Sequence, residues 1–174
     1  FSCKPLHKKA SLAVLSDERN RHYFTNEQFA AIARHVPWTR VVEERHTEVD
    51  GTTVDLVEWI GGHQNDLVLK PNDDYGGAGI VLGWEVDRTA WDVSVQRAMR
   101  EPYIVQRRIA LPKEPFPAVV DGRVVFEDRI VDTAPFCWDG AWMDGLLSRI
   151  STSTLVNVTA GGGSTVPTFV VEPR

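Results

Sequence analysis

Residues 70–83, KPNDDYGGAGIVLG, constrain the fold more than any other stretch of this chain. The largely apolar run Asp66-Leu67-Val68-Leu69 reads as a strand that delivers Lys70. A polar turn follows, then Gly76, Gly77 and Gly79, then a second β-like run, Ile80-Val81-Leu82. Glycine lets backbone N–H groups come close to a ligand, and successive N–H groups form an anion nest. A lysine at the strand end adds a point charge suited to phosphate. The stretch therefore predicts a hairpin flap over a polyphosphate, with Lys70 beneath it. It is not a P-loop, because neither Gly-Lys-Ser/Thr nor a helix pattern follows the glycines. The plainer alternative is an ordinary hairpin with a solvated lysine.

A chain of 174 residues can bury a sizeable core, as one domain or as two small lobes. Its net charge of −5 argues against nonspecific nucleic-acid binding, since no basic surplus exists to displace counterions. The runs Lys8-Lys9 and Arg107-Arg108 are too short to reverse that. No apolar stretch reaches membrane-spanning length and no signal peptide is visible, so a cytoplasmic protein without a membrane partner is expected. Cys3 and Cys137 lack metal-ligand spacing and read as reduced thiols, and the five histidines show no metal spacing either. The start at Phe1 and the stop just after a strand-like run suggest a piece of a longer parent chain.

Leu6 to Leu15 reads as one helix. Thr25-Asn26-Glu27-Gln28 is a capping box opening a second helix, which Pro37 ends. Val54 to Ile60 fits helix or strand equally. Asp87 caps a third helix with Trp91, Val95, Ala98 and Met99 on its apolar side. The second half is β-rich: Tyr103 to Ile109, then Pro117 to Val120 and Arg123 to Val131 around the type I′ turn signal Asp121-Gly122, then Leu146 to Ile150, Thr154 to Thr159 and Thr168 to Val171. Gly161-Gly162-Gly163 is either a flexible connection or a backbone surface closing on a ligand. Trp84, Trp91, Trp138 and Trp142 read as core or interlobe packing, and Asp73-Asp74 as a solvated turn. The absence of regular βαβ alternation makes the expected class α+β with mainly antiparallel sheets.

The order of these pieces resembles the ATP-grasp superfamily, and more narrowly its circularly permuted, glutathionylspermidine synthase-like group. The resembling residues are LHKKASLAVLSD at the start, HVPWTR at 35–40, DLVLKPNDDYGGAGIVLGWE at 66–85, EPYIVQRRI at 101–109, IVDTAPFCWDG at 130–140 and LLSRISTSTLVNVTAGGGSTVPTFVV at 146–171. The resemblance implies one domain of two α+β lobes, with about 36–102 as the small lobe and about 103–174 as part of the large lobe. It implies ATP and Mg2+ as cofactors. Lys9, with Lys8 as the neighbouring candidate, and Lys70 would meet the phosphates under Gly76, Gly77 and Gly79. Val105, Gln106 and Arg107 would read the adenine. Arg149, with Arg129, would act on the phosphates in catalysis, and Asp132 and Asn157 would bind the metal. By its residues alone, Asp132 could equally be a turn residue ahead of Pro135, whereas Asn157 between two valines calls for a reason.

The implied activity is an ATP- and magnesium-dependent carboxylate–amine ligase, forming peptide bonds through an acylphosphate. Its partners would be small-molecule or peptide carboxylates and amines. Hard oxygen ligands suit magnesium, positive side chains neutralise a transferred phosphoryl group, and this route needs no side-chain nucleophile. The sequence departs from the family at Leu155, where many relatives carry a glutamate, and at Arg107-Arg108, where an acidic residue is usual. The alternative is therefore a catalytically inactive nucleotide-binding or scaffolding module of the same fold. A kinase-type phosphotransferase is disfavoured, because no His-Arg-Asp or Asp-Phe-Gly occurs.

Overall fold

A computed structural model describes residues 4–154, 156, 163–169, 171 and 172. The chain is α+β with antiparallel sheets, and it divides into two compact units, Phe1–Ile109 and Ala110–Arg174. The division falls after Ile109 and not at the expected 102/103 boundary. The strand Tyr103–Arg107 pairs on both sides with strands of the first unit and so belongs there.

The first unit opens with α1 (Lys4–His7) and α2 (Ala10–Ser16). The single helix expected over Leu6 to Leu15 is broken at Lys8-Lys9, and the reason lies far along the chain. The backbone N–H of Lys9 donates to the Asn72 carbonyl (3.1 Å) and that of Ala10 to Asn72 Oδ1 (2.9 Å). Asn72 thus satisfies N–H groups that a continuous helix would have used internally. A 3-10 turn, Glu18–Tyr23, leads to α3 (Asn26–His35), whose capping box forms as expected: Gln28 N–H donates to Thr25 Oγ1 and Thr25 N–H to Gln28 Oε1.

Strands β1 (Thr39–Val41), β2 (His46–Val49) and β3 (Thr52–Asp55) follow. The ambiguous run 54–60 is both things in turn. Asp55 ends β3 and caps α4 (Leu56–Gly62) by accepting from Glu58 N–H. Then come β4 (Leu67–Pro71), β5 (Val81–Leu82), α5 (Arg88–Ala98), capped by Asp87, and β6 (Tyr103–Arg107). The main sheet runs β1-β6-β4-β5. Side chains alternate across it. Leu67, Leu69 and Val105 face the core with Leu56, Ile60 and Trp91 of α4 and α5. Trp91 is fully buried and its indole N–H donates to the Ile60 carbonyl. On this scale a side chain of that size contributes about 2–3 kcal/mol by its burial. The opposite face carries Val68, Lys70, Ile104, Gln106 and Thr39.

The β5 end of the sheet is set by a close approach. A Cβ on Gly83 would lie 1.8 Å from the Gln64 carbonyl oxygen, so no other residue fits. The Gln64 amide donates to the carbonyls of Gly83 and Val86 from the other side.

A charged cluster ties the helical edge to β1 and β2. Asp17, 3% exposed, accepts from Arg45 (2.5 Å) and Arg19 (3.0 Å). Arg40, 2% exposed, donates to Glu18 (2.6 Å) and Thr47 (2.7 Å). Burial pushes the Asp17 carboxyl up, but the hydrogen bonds from Arg45 and Arg19 outweigh it and hold the pKa at about 2. Burial also pushes the Arg40 guanidinium down, against the attraction of Glu18.

The second unit is a sheet of order β10-β9-β8-β7, made of β7 (Lys113–Val120), β8 (Arg123–Trp138), β9 (Trp142–Ser151) and β10 (Gly163–Val166). The Asp121-Gly122 turn forms, with φ of 50° and 73°. Asp139-Gly140 makes a second turn of the same kind, between β8 and β9. Two expectations need correction. Thr168, Phe169 and Val171 lie outside any strand, and the last strand is Gly163–Val166 instead. It pairs with the open edge of β9, and Pro167, lacking an N–H, stops it. Trp138 and Trp142 do not pack in a core; they face each other across the β8–β9 end at 54% and 57% exposure. Most of the expected strand Thr154 to Thr159 lies outside the described residues, as does Cys3, while Cys137 is a free, exposed thiol.

Candidate functional site

The alternation of the main sheet sorts the expected residues of the first unit. Lys70 and Gln106 share one face, and the Lys70 ammonium donates to Gln106 Oε1 at 2.7 Å. Gln106 Nε2 in turn donates to Thr39 Oγ1 at 2.8 Å. Lys70 is half-buried, and burial first, then the nearby Lys9 charge, pushes its pKa below the usual lysine value. Lys9 Nζ donates to the backbone carbonyl of Asp74 at 2.5 Å. Among the described residues neither lysine has a carboxylate partner. Two cations close enough to feel each other, bonded only to neutral oxygens, leave a local positive potential that an anion would relieve. Lys8 differs, because its amine lies on Asp73. Of the two neighbouring lysines, Lys9 is the one without a carboxylate partner among the described residues.

The Gly-rich loop spans the connection from β4 to β5, whose strands pair through Val68–Leu82 and Leu69–Val81. Gly76, Gly77 and Gly79 have φ of 68°, 82° and 68°, the left-handed region that L side chains rarely adopt. A Cβ on Gly79 would press on Pro71 and on the Tyr103 hydroxyl, which donates to the Gly79 carbonyl (3.3 Å). The loop's first residues are tied to the start of the chain. Asp73 is exposed, but it is more than a solvated turn residue: it meets Lys4 (3.4 Å), His7 (3.8 Å) and Lys8, and its pKa is lowered, chiefly by Lys8.

The three adenine candidates do not stay together. Val105 is fully buried in the core, and its strand is paired on both edges. Arg107 projects from the same face as Val105 and forms a two-pronged ion pair with Asp50 (2.9 and 2.8 Å), which lowers the Asp50 pKa and raises that of Arg107. Only Gln106 lies on the Lys70 face. A cleft of about 370 Å³ beside Arg107 is lined by Phe29, Ile32, Val36 and Trp38, and neither Lys70 nor Gln106 lines it. Arg108 lies over the Trp84 ring at 4.1 Å.

In the second unit Asp132 and Arg149 are direct cross-strand partners, and Arg149 Nε donates to Asp132 Oδ2 at 2.7 Å. Arg129 is three residues from Asp132 along β8, an odd spacing, so it projects from the opposite face of the sheet and pairs with Glu127 there. Arg129 and Arg149 are therefore not brought together. Asn157 lies outside the described residues. Among the described residues no three His, Cys, Asp or Glu side chains converge as a metal centre. Asp132 supplies one carboxylate already engaged by an arginine, so these residues alone do not fit a preformed magnesium site.

Sequence reasoning missed Thr39 and Asn72. Thr39 carried one hint, a hydroxyl inside the β-branched run WTRVV; Asn72 carried none beyond its place after Lys70-Pro71. Compared with protein-family models and with curated proteins, the chain matches none. No helix among the described residues is long and apolar enough to cross a membrane.

Proposed function

We propose that this chain is an ATP-binding domain of ATP-grasp type, serving a carboxylate–amine ligase that works through an acylphosphate. The observation that carries the reading is the Lys9–Lys70 pair at the foot of a Gly-rich loop, with no carboxylate on either amine among the described residues. Paired surface lysines are ordinary; a half-buried lysine kept beside a second cation is not, because both desolvation and repulsion oppose it. A triphosphate outweighs the repulsion and offsets the desolvation cost. In this reading Lys9 gives up the Asp74 carbonyl for a phosphate oxygen, Lys70 keeps its amide partner and adds a second oxygen, and the loop N–H groups close over both. Magnesium would accompany the nucleotide, with Asp132 its candidate ligand among the described residues. The acceptors, small-molecule or peptide carboxylates and amines, belong to the same proposal.

A second reading has an observation of its own. Asp132 is held by Arg149, and Leu155 stands where a second acidic ligand is usual. That combination suits a module that binds nucleotide without turning it over. Calorimetry with ATP, with and without magnesium, separates the readings. The ligase reading expects magnesium to tighten ATP in the parent protein and Asp132→Asn to remove that tightening while leaving metal-free binding nearly intact. Magnesium-insensitive ATP binding favours the inactive module. No ATP binding by folded protein rejects both.

A further inference from the structure

The hydrogen bonds beneath Lys70 have a direction that one end of the chain fixes. Pro37 offers a carbonyl and no N–H, so the Thr39 hydroxyl must donate to it, at 2.8 Å. That proton is then spent, and the hydroxyl can only accept from Gln106. The Gln106 group 2.8 Å away is therefore its NH2. The amide carbonyl is turned the other way, onto an ammonium that only donates, 2.7 Å distant. Both ends demand the same orientation of the amide. Thr39 is fully buried and Gln106 is 6% exposed, so the members have no bulk solvent to turn to. The lysine receives an acceptor with no charge, and its own charge remains available.

We propose that Thr39 is a positioning residue for Lys70, holding the ammonium through Gln106 while leaving it uncompensated for a polyphosphate. The proposal rests on the nucleotide reading for its ligand, but not for its geometry. Glutamate in place of Gln106 would have the same size and would cancel the charge that the site presents. An uncharged amide held in one orientation is what a cation needs if an incoming anion is to be its counter-charge.

Thr39→Val keeps the side-chain shape and removes the acceptor; Thr39→Ser restores it. Inorganic tripolyphosphate is the probe, because it has no base for Gln106 to read. Thr39→Val should bind it about tenfold more weakly, and NMR titration of Lys70 should show a lower pKa than in the parent, since the charged form loses support. Thr39→Ser should return both values towards the parent's. Gln106→Glu should raise the Lys70 pKa and weaken tripolyphosphate at least as much, with some loss of thermal stability because its second oxygen cannot donate to Thr39. If folded Thr39→Val titrates at Lys70 as the parent does, the relay is wrong. Should that variant not fold, Gln106→Glu decides, and an unchanged Lys70 titration there is equally fatal. A parent that binds no tripolyphosphate sinks the nucleotide reading alone, and the relay is then judged on the Lys70 titration. Loss of ATP binding with tripolyphosphate binding intact would make Gln106 a base reader and overturn the proposal.

Discussion

The first unit contains two groups of basic side chains that it treats in opposite ways. Around Asp17 each buried guanidinium has a carboxylate: Arg45 has Asp17 and Glu18, and Arg40 has Glu18. At the foot of the Gly-rich loop, Lys9 and Lys70 have, among the described residues, a backbone carbonyl and an amide as their partners. The first arrangement is complete without a ligand, so it reads as a fastening between the 3-10 turn and the strands. The second is electrically incomplete.

The largest expected effect falls on the fastening. Asp17→Ala strips Arg45 and Arg19 of a shared partner in a buried setting, and should cost about 3–5 kcal/mol of stability in a urea titration, without altering nucleotide affinity in protein that remains folded. An affinity loss would mean that the two groups are coupled, and the contrast would fail. Lys70→Ala should do the reverse. ATP affinity should fall by about 1.5–3 kcal/mol by calorimetry, with stability unchanged or slightly raised because a desolvated cation is gone. Equal affinity in the folded variant would remove Lys70 from any site.

Acidity sharpens the same contrast at a smaller scale. The Asp17 pKa is lowered from 3.8 to about 2, worth about 2 kcal/mol by linkage. This contribution is present above the unfolded pKa and is lost as pH falls towards 2. The Lys70 pKa is lowered from 10.5. Its folded form binds fewer protons than the unfolded chain over that window, so stability should rise as pH climbs towards 10.5 while anion affinity falls. Chemical denaturation at pH 2–4 and 8–10.5 tests the two arms; a Lys70→Met variant should flatten the alkaline arm only. The smallest effect is dynamic. Amides of 72–83 should exchange quickly alone and slow down with ATP, because a loop with few apolar contacts orders when its N–H groups find phosphate. Unchanged exchange at saturating ATP would leave a plain hairpin.

What the sequence disclosed was local. The Thr25 capping box, the Asp87 cap and the Asp121-Gly122 turn each join residues two or three apart, and each formed as expected. Val54 to Ile60 was ambiguous because a cap, Asp55, sits inside the window and divides it. What could not be read was long-range. Lys70 meets Gln106 at a separation of 36 residues, and Gln106 meets Thr39 at 67. The break at Lys8-Lys9 depends on Asn72, 62 residues beyond Ala10. The split of Val105 and Arg107 from Gln106 follows from simple alternation and was available once β6 was seen to end at Arg107. The strand at Gly163 to Val166 was hidden because its first residue is the last of three consecutive glycines, which argue against a strand, while the open edge of β9 argues for one more strongly.

Gly83 makes the loop a lever with unequal bearings. At its far end the chain is wedged: with no side chain, Gly83 sits where even a methyl group would strike the Gln64 backbone, a steric stop indifferent to salt. At its near end the loop hangs on the Asp73 contacts with Lys4, His7 and Lys8, a clasp made of exposed charge that ionic strength slackens. Asn72, bonded to Pro102, Lys9 and Ala10, stays fixed beside that clasp, so any swing of the loop should be widest over 74–79 and die out towards Asn72 and Gly83. The amplitude of that swing should grow with the salt in the buffer, which loosens the clasp, and shrink when Lys9 holds an anion.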